Sequence, residues 1–311
     1  MAARATRSAS RKARLTEAVA TGPFGALSHD ELGVIFDGLA DPLEPVVAVA
    51  LSSTCLGLRT PLRAALEVLK ERHARATALC RKVETSRAWL RDAEGTSCAE
   101  LRDAEQLFWF NKGLTADDMA TLGMILRTNG LPRLWRLSIY GNGFGDPGMQ
   151  ALCEGLGLGA APSLRILNLS NNQIGPAGAE PLAAALHRGA MPKLENLLIH
   201  CNPSIGSQGM AALAAPLRKL PALRSMHLDN CEISDEGVVL LVVANLGKDD
   251  FKKLEYLFLQ QNKIGDVGAA KLVAALDAGG LPKLINCDLS GNPASGRAVQ
   301  AVKDALVKRL Q

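Results

Sequence analysis

From about Ala104 to the C-terminus, apolar residues recur on one template. In the stretch LEYLFLQQNKIG, Leu254, Leu257, Leu259, Asn262, Ile264 and Gly265 stand at offsets 0, +3, +5, +8, +10 and +11. Leu164, Leu167, Leu169, Asn172, Ile174 and Gly175 repeat this without a slip. Further copies begin at Leu134, Leu194, Leu223 and Leu284, so successive starts are 30, 30, 29, 31 and 30 residues apart. A fixed period of this size means a solenoid. The alternating leucines at +3 and +5 predict a short strand with one buried face. The Asn at +8 falls at a turn, where its amide can satisfy backbone groups that neither strand nor helix pairs. Gly148, Gly178, Gly209, Gly237 and Gly268 then stand near the start of Ala/Leu-rich stretches. The i, i+4 pairs Leu182/Leu186, Leu213/Leu217 and Leu272/Leu276 predict helices with an inner apolar face. Pro132, Pro162, Pro192, Pro221 and Pro282 stop each helix and return the chain extended. No single repeat can bury its own leucines; stacked neighbours bury them together.

This pattern resembles the leucine-rich repeat family, in its long ribonuclease-inhibitor-like class with a full helix in every repeat. The resemblance implies an α/β fold: a horseshoe-shaped leucine-rich repeat solenoid, parallel strands inside and helices outside, preceded by an all-helical N-terminal region. Ala104, Leu107 and Trp109 occupy the same offsets thirty residues before Leu134 and predict a divergent first repeat. Departures elsewhere are local. The Leu194 repeat carries one extra residue before Ile205, Met226 and Cys231 replace Leu and Asn in the next, and Cys287 and Ala294 mark a degraded last repeat. The helix expected over Ala298 to Leu310, with Lys303, Asp304, Lys308 and Arg309, suits a solvent-facing cap.

The N-terminal third reads differently. LSHDELGVIFDGL puts Leu27, Leu32, Ile35, Phe36 and Leu39 on one helical face. A small helix over Val46 to Leu51 and a turn near Ser52, Ser53, Thr54 and Cys55 are expected to follow. With Cys55 and Arg59, this segment resembles an F-box. It departs from that pattern at Ser28, Asp30, Glu31 and Leu58, and a small capping domain without adaptor binding is the other reading. Thr60-Pro61 then opens a helix with no breaker before about Ala93. Its stripe of Leu62, Leu66, Leu69, Ala76, Cys80 and Val83 is expected to pack on the first repeat rather than form a coiled coil, with His73 on the helix surface and a hinge at Gly95 to Cys98. The expected organisation is a disordered basic arm at 1–22, an F-box-like helical segment at 23–60, a helical linker or N-terminal cap at 61–100, and the repeat domain at 101–311.

Charge changes this picture only at one end. Net charge is +4, and Arg4, Arg7, Arg11, Lys12 and Arg14 all precede the first acid, Glu17. The arm reads as disordered, as an organelle transit peptide or as a nucleic-acid contact, and composition does not separate these. The remainder is near neutral, so no nucleic-acid partner is expected. Seven cysteines without paired metal-ligand spacing suit a reducing compartment. No apolar run is long enough to span a bilayer and there is no secretory h-region. A cytoplasmic or nuclear monomer is expected, or a plastid or mitochondrial one if the arm is a transit peptide.

Strand residues alternate faces, so offsets +2, +4 and +6 should line the concave sheet. The candidate partner-binding residues there are Arg136, Tyr140, Asn168, Leu198, His200, His227, Asp229, Tyr256, Phe258, Gln260 and Asp288. Exposed Tyr, Phe and Arg are the types that anchor protein interfaces. Ser170, His200 and Asp229 share the +6 column, but no oxyanion donors accompany them and no catalytic site is expected. His200, Cys201, His227 and Asp229 fit no structural zinc spacing, so neither metal nor cofactor is expected. What the resemblances imply is non-catalytic protein recognition. An F-box/leucine-rich-repeat substrate receptor would use Leu32, Ile35 and Phe36 to dock an adaptor of a cullin-RING ubiquitin ligase. The alternative is a regulator or scaffold for an enzyme such as a small GTPase, as in ribonuclease-inhibitor-like and Ran GTPase-activating members of the repeat family.

Overall fold

The computed structural model describes residues 40–53, 62–84, 98–128, 130–242, 246–247 and 250–310. The basic arm and the F-box-like positions Leu27, Leu32, Ile35, Phe36, Leu39, Cys55 and Arg59 lie outside the described residues.

Seven three-residue strands form one parallel sheet in sequence order: β1 (Gln106–Phe108), β2 (Arg136–Ser138), β3 (Ile166–Asn168), β4 (Asn196–Leu198), β5 (Ser225–His227), β6 (Tyr256–Phe258) and β7 (Asn286–Asp288). Their central residues, Leu107, Leu137, Leu167, Leu197, Met226, Leu257 and Cys287, stand opposite one another without a register slip. All seven are buried, together with Trp109, Ile139, Leu169, Ile199, Leu228, Leu259 and Leu289 two residues on. The divergent first repeat starting near Ala104 is therefore a full coil of the array. Each strand is followed by a helix: α4 (Ala116–Arg127), α5 (Gly145–Glu154), α6 (Pro176–His187), α7 (Gly206–Arg218), α8 (Asp235–Leu241), α9 (Asp266–Asp277) and α10 (Gly296–Leu310). The pairs Leu182/Leu186, Leu213/Leu217 and Leu272/Leu276 are buried, and all join one continuous core running the length of the stack. Burying one such leucine stabilises by about 1.5–3 kcal/mol, so the repetition of the template is the main source of cohesion.

Two ladders of polar groups hold successive coils in register. In the first, Asn172 Oδ1 accepts from the backbone N–H groups of Asn142 (2.7 Å) and Gly143 (3.1 Å), and its Nδ2 donates to the carbonyls of Ile139 and Leu169. Asn142, Asn202, Asn262 and Asn292 repeat this role. In the second, the first turn of one helix caps the next. Asp146 Oδ1 accepts from Gly175 N–H at 2.6 Å, Asp235 Oδ1 from Gly265 and Gly268, and Asp266 Oδ1 from Ser295. This explains two of the glycines near helix starts: a Cβ on Gly178 would lie 2.5 Å from Asp146 Oδ1, and one on Gly268 would lie 2.5 Å from Asp235 Oδ1, whereas one on Gly148 or Gly209 would instead meet Phe144 or Ile205. Between strand and ladder the chain turns through one residue of positive φ, among them Asn111, Asn171, Cys201 and Asn230, where Asn and Gly cost least.

Upstream lie α1 (Val46–Ser53), α2 (Arg63–Glu84) and α3 (Cys98–Arg102). Ser52 and Ser53 are helical rather than in a turn, and Cys98 opens a helix rather than ending a hinge. The α2 stripe serves two cores. Leu62 and Leu69 pack with Ala40 and Ala48, whereas Ala76, Leu79, Cys80 and Val83 join the main core. His73 is not a free surface residue: its Nδ1 lies 2.8 Å from the Pro42 carbonyl, tying α2 to the segment before α1. At the other end Val302, Ala305 and Leu306 of α10 are buried, and Arg309 donates to the carbonyls of Gly280 and Leu281 just past α9. No helix among the described residues is long and apolar enough to cross a membrane.

Candidate functional site

Among the described residues, the helices cover one face of the sheet and leave the other free. On the free face the +2 row runs Gln106, Arg136, Ile166, Asn196, Ser225, Tyr256, Asn286, and the +4 row runs Phe108, Ser138, Asn168, Leu198, His227, Phe258, Asp288. Backbone hydrogen bonds continue just beyond the strands, for example from Asn171 to the His200 carbonyl and from Cys201 to that of Asp229. They place Phe110, Tyr140, Ser170, His200, Asp229, Gln260 and Ser290 in a third row. The predicted residues Tyr140, His200, His227, Phe258 and Tyr256 therefore share one surface.

Their rings, with two that the sequence reading passed over, make an unbroken ribbon. Phe108 and Phe110 are 5.7 Å apart between centroids, Phe110 and Tyr140 6.3 Å, Tyr140 and His200 6.4 Å, and His200 and His227 6.2 Å. His227 stacks on Phe258 at 4.2 Å, and Phe258 is followed by Tyr256 at 6.5 Å. Tyr140 and His200 come from coils two apart, and they meet because the coil between contributes only Ser170, which is fully buried at 0% exposure. Phe108, Phe110 and Tyr256 are about two-fifths exposed, at 40%, 44% and 39%. Phe108 and Phe110 were within reach of the sequence, since they occupy +4 and +6 counted from Ala104.

The polar candidates divide by position. Arg136 places its guanidinium 5.0 Å from the Phe108 ring centroid, a cation–π contact at one end of the ribbon. At the other, Gln260 Nε2 donates to Asp288 at 2.8 Å. Burial alone would raise the Asp288 carboxyl, but hydrogen bonds from Ser290 and Gln260 outweigh it and hold the group below its ordinary range. Asn168 turns inward, its Oδ1 accepting from Ser170 N–H, and Leu198 contributes a half-buried apolar side chain.

At the centre, Ser170 Oγ lies 2.9 Å from His200 Nδ1, and Ser225 Oγ lies 3.1 Å from His227 Nε2. One nitrogen of each ring and a carboxylate oxygen of Asp229 all fall within 4.8 Å of one another. Cys201 does not join them; its sulfur lies 3.8 Å from Asn230 Nδ2 instead. Of the Ser-His-Asp column, Ser170 and His200 are hydrogen-bonded: the buried Ser170 hydroxyl is turned to the ring and orients His200, with Asp229 within 4.8 Å of a ring nitrogen. Desolvation lowers the His227 pKa, with His200 adding to the effect and Asp229 opposing it. Burial pushes the thiols of Cys153, Cys231 and Cys287 up to about 12, leaving them protonated and unreactive.

A family model described as "Leucine Rich repeat" matches residues 135–153, 160–183, 219–242 and 252–273. The fold is a leucine-rich-repeat solenoid. Among curated proteins none matches the sequence. Solved structures similar to this chain include "Leiomodin-1 Actin-Binding Site 2 (ABS2)", at 14% identity and TM-score 0.36 over 48% of this chain and 83% of that one. Another is "Crystal structure of Rad7 and Elc1 complex in yeast", at 16% identity and TM-score 0.41 over 60% of this chain and 42% of that one. Neither likeness, at these identities, speaks to function.

Proposed function

We propose that this leucine-rich-repeat protein is a non-catalytic recognition module that grips a protein partner with the helix-free face of its sheet. The observation carrying this reading is the ring ribbon from Phe108 to Tyr256, which runs from the first coil to the sixth. Aromatic side chains offer large contact area at low entropic cost and are the commonest anchors of interfaces. Arg136 at one end and Asp229 with Asp288 near the other give the surface a direction, so that an elongated partner segment would bind in one orientation. Affinity purification with the intact chain and with Tyr140, Tyr256 and Phe258 changed to Ala tests this. Partners retained by the first and lost by the second support the reading, and an unchanged set of partners refutes it.

The finer assignment is a substrate receptor of a cullin-RING ubiquitin ligase. It is supported by the spacing of Leu27, Leu32, Ile35, Phe36, Leu39, Cys55 and Arg59 in the sequence. Leu32, Ile35 and Phe36 would dock the ligase adaptor while the sheet face holds the substrate, and the ubiquitin chemistry would belong to the partners. Changing these three residues to Ala in the full chain should abolish capture of a ligase adaptor while leaving ribbon-dependent partners bound. Failure of the unaltered chain to capture any adaptor removes this assignment alone.

A further inference from the structure

We infer that His200, His227 and Asp229 form a binding site for a divalent transition-metal ion of the zinc class, with an open coordination position facing the groove. The three side chains come from two adjacent coils. His227 and Asp229 are two residues apart on one strand and its extension, so they point to the same side of the sheet, and His200 approaches from the neighbouring coil. One candidate ligand atom from each already lies within 4.8 Å of the other two. A tetrahedral ion with bonds of about 2.0–2.1 Å needs its ligand atoms roughly 3.3 Å apart, which small side-chain rotations supply.

Three features separate this cluster from a chance meeting of polar residues. The first is the outer shell. Metal-binding imidazoles commonly have their second nitrogen held by a hydrogen bond, which fixes ring orientation and tautomer. Here Ser170 Oγ engages Nδ1 of His200 and Ser225 Oγ engages Nε2 of His227, leaving Nε2 of the first and Nδ1 of the second as the free nitrogens. Both serines are buried, at 0% and 8% exposure, so neither hydroxyl is there to meet bulk water. The second is the ring stack: Phe258, 4.2 Å from His227 and inclined by only 21°, restricts the swing of that imidazole and shields one of its faces. The third is a neighbouring unmet acceptor. Gln260, in register with Asp229, has a side-chain Oε1 that is buried and has no hydrogen-bond partner among the described residues. Leaving such an oxygen unpaired is costly, and a water on the open position of a bound ion is a fitting donor.

Two imidazoles and one carboxylate suit zinc and its borderline neighbours better than calcium or magnesium, which prefer all-oxygen shells. Three protein ligands leave a fourth position for water or for a donor atom from whatever occupies the groove. The site does not depend on a protein partner using the same face.

The test is titration of the purified full chain with Zn2+, followed by calorimetry, together with Co2+ as a spectroscopic probe. One ion per chain, a Co2+ visible spectrum without thiolate charge-transfer bands, and retained binding in Cys201→Ser are expected. Asp229→Asn and His200→Ala, each checked for an unchanged melting profile, should weaken binding by roughly a hundredfold, and Ser170→Ala by roughly tenfold through loss of ring orientation. His200→Ala leaves the His227–Phe258 stack intact, so it remains informative if a change at His227 harms the fold. Affinity should also fall as the solution is acidified, because protons compete with the ion for its ligands. No binding at micromolar zinc, binding unaffected by Asp229→Asn and His200→Ala, or a thiolate spectrum that disappears in Cys201→Ser would each overturn the assignment.

Discussion

Asn262 Oδ1 accepts from the backbone N–H of Cys231 at 3.0 Å, while Cys231 offers the backbone N–H of Asn202 in the coil below only a sulfur, a weak acceptor. The Cys231 thiol reproduces the donor half of the ladder, reaching the carbonyls of Ile199 (3.4 Å) and Asp229 (3.5 Å). Its sulfur is only a weak stand-in for the acceptor half that Asn202 Oδ1 supplies to Asn172 and Ile174. Cys231→Asn should therefore raise stability by about 1 kcal/mol, the net value of a buried hydrogen bond. Asn262→Ala should lower it by about 3 kcal/mol or more, because two N–H groups and the carbonyls of Leu228 and Leu259 lose their partner together. Urea denaturation of the two variants against the unaltered chain measures both.

The capping ladder predicts a coupled pair. Asp235→Ala removes the acceptor of Gly265 and Gly268 N–H and should cost about 1–2 kcal/mol, as loss of a helix cap does. Gly268→Ala drives a Cβ to within 2.5 Å of the same Asp235 Oδ1 and displaces it. The double variant should then be clearly less destabilised than the sum of the two, a non-additivity readable from thermal melts.

Protonation of His227 should weaken the fold. Its pKa is lowered from 6.5, chiefly because burial penalises the charged ring. Above 6.5 the ring is neutral folded and unfolded alike. As pH falls through 6.5 towards the lower folded value, the unfolded chain takes up the proton first and stability declines. Melting temperature should drop as pH is lowered through 6.5 in metal-free buffer, and His227→Phe should flatten that part of the profile. An equal slope in the variant would assign the pH dependence to other groups.

The far cap is also testable. Truncation before Gly296 uncovers Leu289 and the end of the continuous core, which Val302, Ala305 and Leu306 otherwise close. Repeat arrays need a polar terminal cap to remain dispersed, so the truncated chain should aggregate on purification, as followed by light scattering.

Much of this was legible from spacing alone. Leucines at fixed offsets determine both the strands and the shared core, because only one stacking buries all of them. The asparagine ladder and the face carrying Tyr140, His227 and Phe258 follow from the same count. What spacing could not supply was the third dimension of the face. Tyr140 and His200 are sixty residues and two coils apart, and they touch only because Ser170 sinks beneath them. His200, His227 and Asp229 were within view, but no linear spacing of metal ligands joins them, because His200 belongs to one coil and the other two to two rows of the next. The glycines near the helix starts were visible as a pattern, but the cause at Gly178 and Gly268, a carboxylate reaching across from the preceding coil, was not. His73 read as an ordinary surface residue because its partner, the Pro42 carbonyl, is a backbone atom that leaves no trace in composition.

Because the ribbon is assembled coil by coil, from Phe108 and Phe110 of the first to Tyr256 and Phe258 of the sixth, the length of the grip is quantised. Neighbouring strands lie about 4.8 Å apart, so excising one whole coil would shorten the surface by that step while keeping the remaining local bonds. Gene-level loss or duplication of a thirty-residue unit would then retune which ligands fit, with far less risk to folding than point changes in the interior.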